Sequence, residues 1–208
     1  MFPIDTRECR IELESGEFFM QGFDLKLNPV FYFRNMCIGP WRKDVNASVL
    51  ATLYRFERAA ENLIKMNPDF KCTVIIFMGK PIQATDDMCE ERSEASKADD
   101  GSISTKTGLD NRRWEYFVHT NFKLTQQLIE TFSRHYPGRL CTVLVVPNGG
   151  WEKMIGTHGL RRYLQSQVTR DKVKILDGPE DLQFFVSADQ LVIPMGGNAP
   201  INKGAFQV

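Results

Sequence analysis

The chain is poor in the residues and patterns that mark most enzymes and most targeted proteins. Across 208 residues there are three histidines and five cysteines. The cysteines (Cys9, Cys37, Cys72, Cys89, Cys141) form no C-x-x-C pair and have no histidine at zinc-ligand spacing. That pattern fits reduced thiols acting as small core hydrophobes rather than a disulfide or metal framework. No stretch of 18 apolar residues occurs, and Met1 to Arg10 lacks a basic segment followed by an apolar one. The expectation is a cytoplasmic protein without a membrane span. Charge of one sign is missing too. Lys and Arg total 26, as do Asp and Glu, so net charge gives no footprint for nucleic acid. G-x-S-x-G, G-x-x-x-x-G-K-[ST] and G-x-G-x-x-G are all absent, which removes the usual signals of hydrolases, NTPases and dehydrogenases.

Buried strands are what the sequence does have. Leu140 to Val146 is a continuous apolar run between Pro137-Gly138 and Pro147-Asn148-Gly149-Gly150. Such a run asks for burial on both faces, the environment of a central parallel strand. Cys72 to Met78 and Val30 to Met36 read the same way, and Val173 to Leu176 as a shorter strand. Residues 10 to 26 alternate charged and apolar positions and predict an edge strand or hairpin.

Between the strands, apolar residues recur at helical spacing. Val45, Val49, Leu53, Phe56, Ala60, Leu63 and Ile64 follow Asp44, a plausible N-cap, and predict a helix of about six turns ending at Asn67-Pro68. Phe117, Val118, Leu124, Leu128, Ile129 and Phe132 predict a second helix. Trp151, Met154, Ile155, Leu160, Tyr163, Leu164 and Val168 form a third amphipathic segment, weakened by Gly156 and Gly159. Pro179 opens a short helix over 180–186, and Ile193 to Gly197 closes the compact region ahead of a tail of low order. The order ββαβαβαβα predicts one domain over residues 1–208, a three-layer α/β fold on a mostly parallel sheet.

Residues 80–113, rich in Asp, Glu, Ser and Lys, read as a mobile polar insert. Asp86-Asp87 and Asp99-Asp100 within it lack the alternating spacing of a calcium loop and read as solvated charge. His119 and His135 are too far apart on one helix to share a ligand, and His158 has no identifiable partner. Arg161-Arg162 and Lys172 with Lys174 flank the third amphipathic segment and suit either ordinary surface charge or a lipid headgroup.

The same segments carry a resemblance. GFDLKLNPVFYFR at 22–34 resembles the opening G-x-D-x-x-G-R-P-V of CRAL-TRIO lipid-binding domains, with Leu27-Asn28 in place of Gly-Arg. Tyr136 to Leu140 is similar to the family's Y-P-E-R-L, Pro147 to Leu164 to its gate helix, Thr169 to Leu176 to T-x-x-K-I, and Ile193 to Gly197 to a shortened L-P-x-x-x-G-G. The family's N-terminal helical segment has no counterpart here.

The resemblance implies a non-enzymatic protein, without cofactor or metal, that holds a phospholipid or another small hydrophobic molecule. Trp151, Met154, Ile155, Leu160, Tyr163 and Leu164 would line the gate, and Phe31, Phe33, Ile75, Phe77, Val143 and Val145 the floor, with the strand parity open. Lys172 would face a headgroup. In phosphatidylinositol-binding members the Glu of Y-P-E-R-L helps hold the inositol phosphate, and Gly138 replaces it here. The expected partners are a hydrophobic ligand and, transiently, a membrane surface. The alternative is a protein-interaction module on the same fold, such as a small-GTPase binder, with the polar insert as its partner surface.

Overall fold

In a computed structural model, the described residues are 5–34, 44–78, 123–147 and 167–202. Helices α1 (Arg10–Ser15) and α2 (Val45–Met66), α3 over residues 123–135, and α4 (Gln167–Lys172) accompany five strands. The strands are β1 (Phe18–Phe23), β2 (Pro29–Arg34), β3 (Cys72–Phe77), β4 (Leu140–Val146) and β5 (Val173–Ile175). Turns of 3-10 helix cover Thr6–Cys9, Pro179–Phe184 and Ile193–Met195. The strands form one sheet in sequence order, β1-β2-β3-β4-β5, with β1 antiparallel to β2 and every other pairing parallel. The fold is mixed α/β on a mostly parallel sheet, as the apolar runs predict.

Register sorts the side chains into two faces. Phe31 pairs with Val74, Val74 with Val143 and Val143 with Val173, while Tyr32 pairs with Ile75 and Ile75 with Leu144. Because successive strand residues point to opposite sides, the first series and the second cannot share a face. Phe31, Phe33, Val74, Ile76, Val143 and Val145 pack under α2 and α3 against Phe56, Leu63, Leu124, Leu128 and Phe132. Phe56 is the hub of this layer, its ring centroid 5.1 Å from Phe31, 4.9 Å from Phe132 and 4.7 Å from Tyr136.

α2 begins where the sequence says it should. The Asp44 carboxylate accepts from Asn46 N and Ala47 N at 2.8 and 3.2 Å, satisfying two of the free amides of the first turn. It ends at Asn67, since Pro68 disfavours helical backbone in the residue before it.

The opposite face is covered differently from the expected third helical layer. Tyr32, Ile75, Phe77, Leu144 and Val146 are buried beneath Leu182, Val186, Leu191, Val192 and Met195. Among the described residues this cover is built from 3-10 turns and irregular chain over 176–202. The short helix expected over 180–186 is the 3-10 turn Pro179–Phe184.

Two further expectations are corrected. The stretch predicted as a hairpin or edge strand from residue 10 begins as helix α1. Its Arg10 and Glu14 pair at 2.7 Å across one turn, Leu13 joins Cys9, Ala47 and Ala51 in a small apolar cluster, and Gly16 ends it at φ 65°. A period-two pattern over five residues is also satisfied by i, i+4 spacing, and packing against α2 decides between them. The tail is not loose through residue 202 either. Gln21 Nε2 donates to Pro200 O at 2.8 Å, Asn202 N donates to Gln21 Oε1 at 2.9 Å, and Val192 bridges Ala199. The polar insert at 80–113 lies outside the described residues.

Candidate functional site

Three of the segments that carry the resemblance meet at the end of the sheet where the parallel strands begin, and of the expected site residues only Lys172 lies there. The segments are the loop between β1 and β2, the turn into β4, and the junction of α4 with β5.

Asp24 organises the first. Its carboxylate accepts from Lys26 N and Asn28 N, both at 2.8 Å, from Asn28 Nδ2 at 3.0 Å, and from Thr73 Oγ1 of β3 at 2.8 Å. Burial opposes its ionisation, and the hydrogen bonds from Asn28, Thr73 and Lys26 outweigh that, leaving its pKa below the ordinary 3.8. Asp24 is therefore a pin that fastens the loop to the neighbouring strand, a role the spacing alone did not reveal. Leu27, inside this loop, has φ 62°, the left-handed region that an apolar L-residue rarely enters. It occupies the position where the resembled motif has glycine, the residue that enters this backbone region at least cost.

The turn Tyr136 to Arg139 closes with Arg139 N donating to Tyr136 O at 3.0 Å. Arg139 Nη1 reaches Phe70 O at 3.3 Å and also Pro68 O, with its guanidinium 4.8 Å from the centre of the Phe70 ring. The Tyr136 hydroxyl donates to the Glu57 carboxylate. Burial first, and then the Glu57 carboxylate, push the Tyr136 pKa well above its usual value, so this hydroxyl stays protonated.

Lys172, the last residue of α4, sends its ammonium to Pro137 O at 3.2 Å. The Y-P-G-R-L-like and T-x-x-K-I-like segments are thus joined by a direct contact across 35 residues of sequence. Gly138, beside that contact, has ordinary backbone, and an added Cβ would meet nothing within 4 Å. Packing does not require glycine at this position.

The expected floor does not form one surface. Phe31, Phe33, Val143 and Val145 lie on the α2/α3 face, whereas Ile75 and Phe77 lie on the opposite one. Parallel register offsets the parity of β3 from that of β2, which two-faced apolar strands leave open in sequence. All six are buried by the chain's own side chains. Among the described residues, one cavity on the α2/α3 side measures about 10 Å³ and is lined by Phe18, Phe33, Val74, Leu128 and Phe132 among others. That is room for about one water. A larger groove of about 410 Å³ runs between α2 and α3 past Asn46, Val49, Gln127, Glu130, Arg134 and His135. Trp151, Met154, Ile155, Leu160, Tyr163 and Leu164, the expected gate, lie outside the described residues, as do His119, His158 and Arg161-Arg162.

Cys9 and Cys72 are buried, Cys141 is half-buried, and all three are free thiols. Burial, and to a lesser degree neighbouring Cys141, push the Cys72 thiol up to about 12, which makes it a poor nucleophile. His135 is exposed on α3. Among the described residues no three His, Cys, Asp or Glu side chains converge as metal ligands, and no helix is long and apolar enough to cross a membrane.

Gly196 and Gly197 account for the last of the resembled segments. Gly196 has φ 82°, and an added Cβ on Gly197 would come within 1.9 Å of Leu191 O. The pair lets the C-terminal cover fold back tightly on itself. Compared with known proteins, the chain matches no family model and no curated protein at a significant level.

Proposed function

We propose that the protein binds a phospholipid or another small hydrophobic molecule without catalysis, and transfers it between membranes, in the manner of the CRAL-TRIO domains it resembles. The observation that supports this reading is the contact between Lys172 and Pro137 O, which joins the T-x-x-K-I-like segment to the Y-P-G-R-L-like turn, the two segments that help hold the headgroup in the resembled family. Leu27 at φ 62° in place of a motif glycine and Gly196 at φ 82° add support, since both stand at motif-glycine positions and have left-handed backbone. Burying a methylene contributes about 0.8 kcal/mol, so an acyl or isoprenoid chain supplies affinity without any reactive group. In this reading residues 151–164, which lie outside the described residues, line the ligand.

A second reading, a protein-interaction module on the same fold, is favoured by one observation. The described strands are packed on both faces, and the cavity between the sheet and α3 lined by Phe18, Phe33 and Phe132 measures about 10 Å³.

Mass spectrometry of the organic extract of purified protein, paired with liposome-to-liposome transfer over a panel of lipids, separates the two. A stoichiometric lipid with matching transfer is the expected result. An empty extract together with no transfer for any class would sink the first reading. Loss of a protein partner on deletion of residues 82–112 would then establish the second.

A further inference from the structure

The edge where β3, β4 and β5 begin exposes apolar side chains that packing does not demand. Leu27 is 82 % exposed and Leu25 60 %, on a loop held rigid by Asp24. Leu25 N donates to Phe185 O at 2.8 Å, which brings Phe184, 76 % exposed, next to that loop. Met66, 74 % exposed, ends α2 at the same edge, because α2 runs antiparallel to the strand that follows it. Exposed leucines are ordinary singly. These differ in being clustered at one end of the sheet, and Leu27 keeps an apolar side chain in a backbone region that disfavours it.

Basic residues are interleaved with them. Lys26 sits between the two leucines, Lys71 precedes β3, Arg139 precedes β4 and Lys172 precedes β5. Lys174 Nζ lies 4.8 Å from the centre of the Phe185 ring. The Arg139 and Lys172 side chains donate to backbone carbonyls, so neither charge is cancelled by those bonds. Asp24 faces inward to its hydrogen bonds and Glu57 accepts from Tyr136 in the turn into β4, while Asp69 and Asp171 flank the strand starts. Glu180 and Asp181 share the 3-10 turn Pro179–Phe184 with Phe184, so two further carboxylates stand within one turn of that ring.

We propose that this edge docks on an anionic membrane, with Leu25, Leu27 and Phe184 entering the headgroup boundary while Lys26, Lys71 and Lys174 face lipid phosphates. Apolar tips set among cations are the combination that a negatively charged bilayer surface binds, whereas a neutral surface rewards only the apolar part. Asp24 fixes the loop beforehand, so little ordering entropy is lost on contact. The proposal deepens the transfer reading, which requires membrane contact, and is separable from the cargo, since a surface can dock whether or not a ligand is carried.

The test is sedimentation with phosphatidylcholine vesicles containing or lacking phosphatidylserine. The full chain should bind the anionic vesicles at least about tenfold more tightly, and the difference should shrink as salt is raised. Leu25→Ser with Leu27→Gly should weaken binding about fivefold or more, and Lys26→Ser with Lys71→Ser about fivefold for each charge removed. Leu27→Gly relieves the left-handed strain, so a higher unfolding temperature alongside weaker binding excludes misfolding as the cause. Ile11→Ser removes an equally exposed residue, at 60 %, from the far edge and should leave binding unchanged. Equal binding to neutral vesicles, or full binding by the loop variants, would overturn the proposal. Extracted lipid content should match wild type in every variant, so the docking proposal and the cargo reading fail separately.

Discussion

At the residue scale, the chain's least obvious dependence is on Asp24. One carboxylate takes hydrogen bonds from its own loop and from Thr73 on the next strand but one. Asp24→Ala should cost about 3 kcal/mol in chemical unfolding, because it leaves the buried Thr73 hydroxyl and several amides without their acceptor. Because the folded pKa of Asp24 lies below 3.8, its contribution is complete above that value and is lost as pH falls through the folded one. Wild type should therefore lose stability more steeply than Asp24→Asn in the acid limb below about pH 4. Gly138 is the opposite case. With open space around it, Gly138→Glu should change stability by no more than about 0.5 kcal/mol, which a thermal melt checks directly.

At the element scale, α2 and the C-terminal cover show how much the sequence can and cannot announce. Asp44, the 3.6-residue apolar spacing and Asn67-Pro68 mark both ends of α2, and the structure places it at Val45–Met66. β4 is equally legible, since Leu140 to Val146 is bounded on each side by residues that break strands. Strand parity is not, because Phe31 and Ile75 stand in runs that are apolar on both faces. Only the inter-strand register assigns one to α2 and α3 and the other to the C-terminal cover. That cover was illegible for a related reason. Leu182 and Val186, and Leu191 and Met195, each stand four apart, but neither pair extends into a longer helical pattern, and their burial is set by the surface they lie on. Its tightest point is Gly197, where Gly197→Ala should cost about 1–3 kcal/mol, read by urea unfolding, because the new methyl collides with Leu191 O.

At the scale of the whole molecule, one sheet joins two cores that do not depend equally on local chain. Phe56→Ala should remove about 3–5 kcal/mol from the α2/α3 side, since the ring contacts Phe31, Phe132 and Tyr136 together. The segments at Asp24 and Gly196-Gly197 are legible as motifs because each is a short turn with strict backbone demands, whereas the turn at Gly138 has ordinary backbone. What they bind is not written in them, since a hydrophobic ligand is held by the same residue types that pack a core.

The C-terminal cover also bears on synthesis. β1 is an edge strand, and Gln190 Oε1 accepts from Phe23 N at 3.3 Å while Asn202 N reaches Gln21, so the last described residues shield the first strand. A nascent chain that has delivered β4 still lacks the side chains that cover Tyr32, Ile75 and Leu144. At roughly 5–20 residues per second that face and that edge wait seconds for their cover. An open apolar face beside an unshielded edge is a template for aggregation, so chains stalled or cleaved before residue 182 should depend on chaperones far more than the complete one.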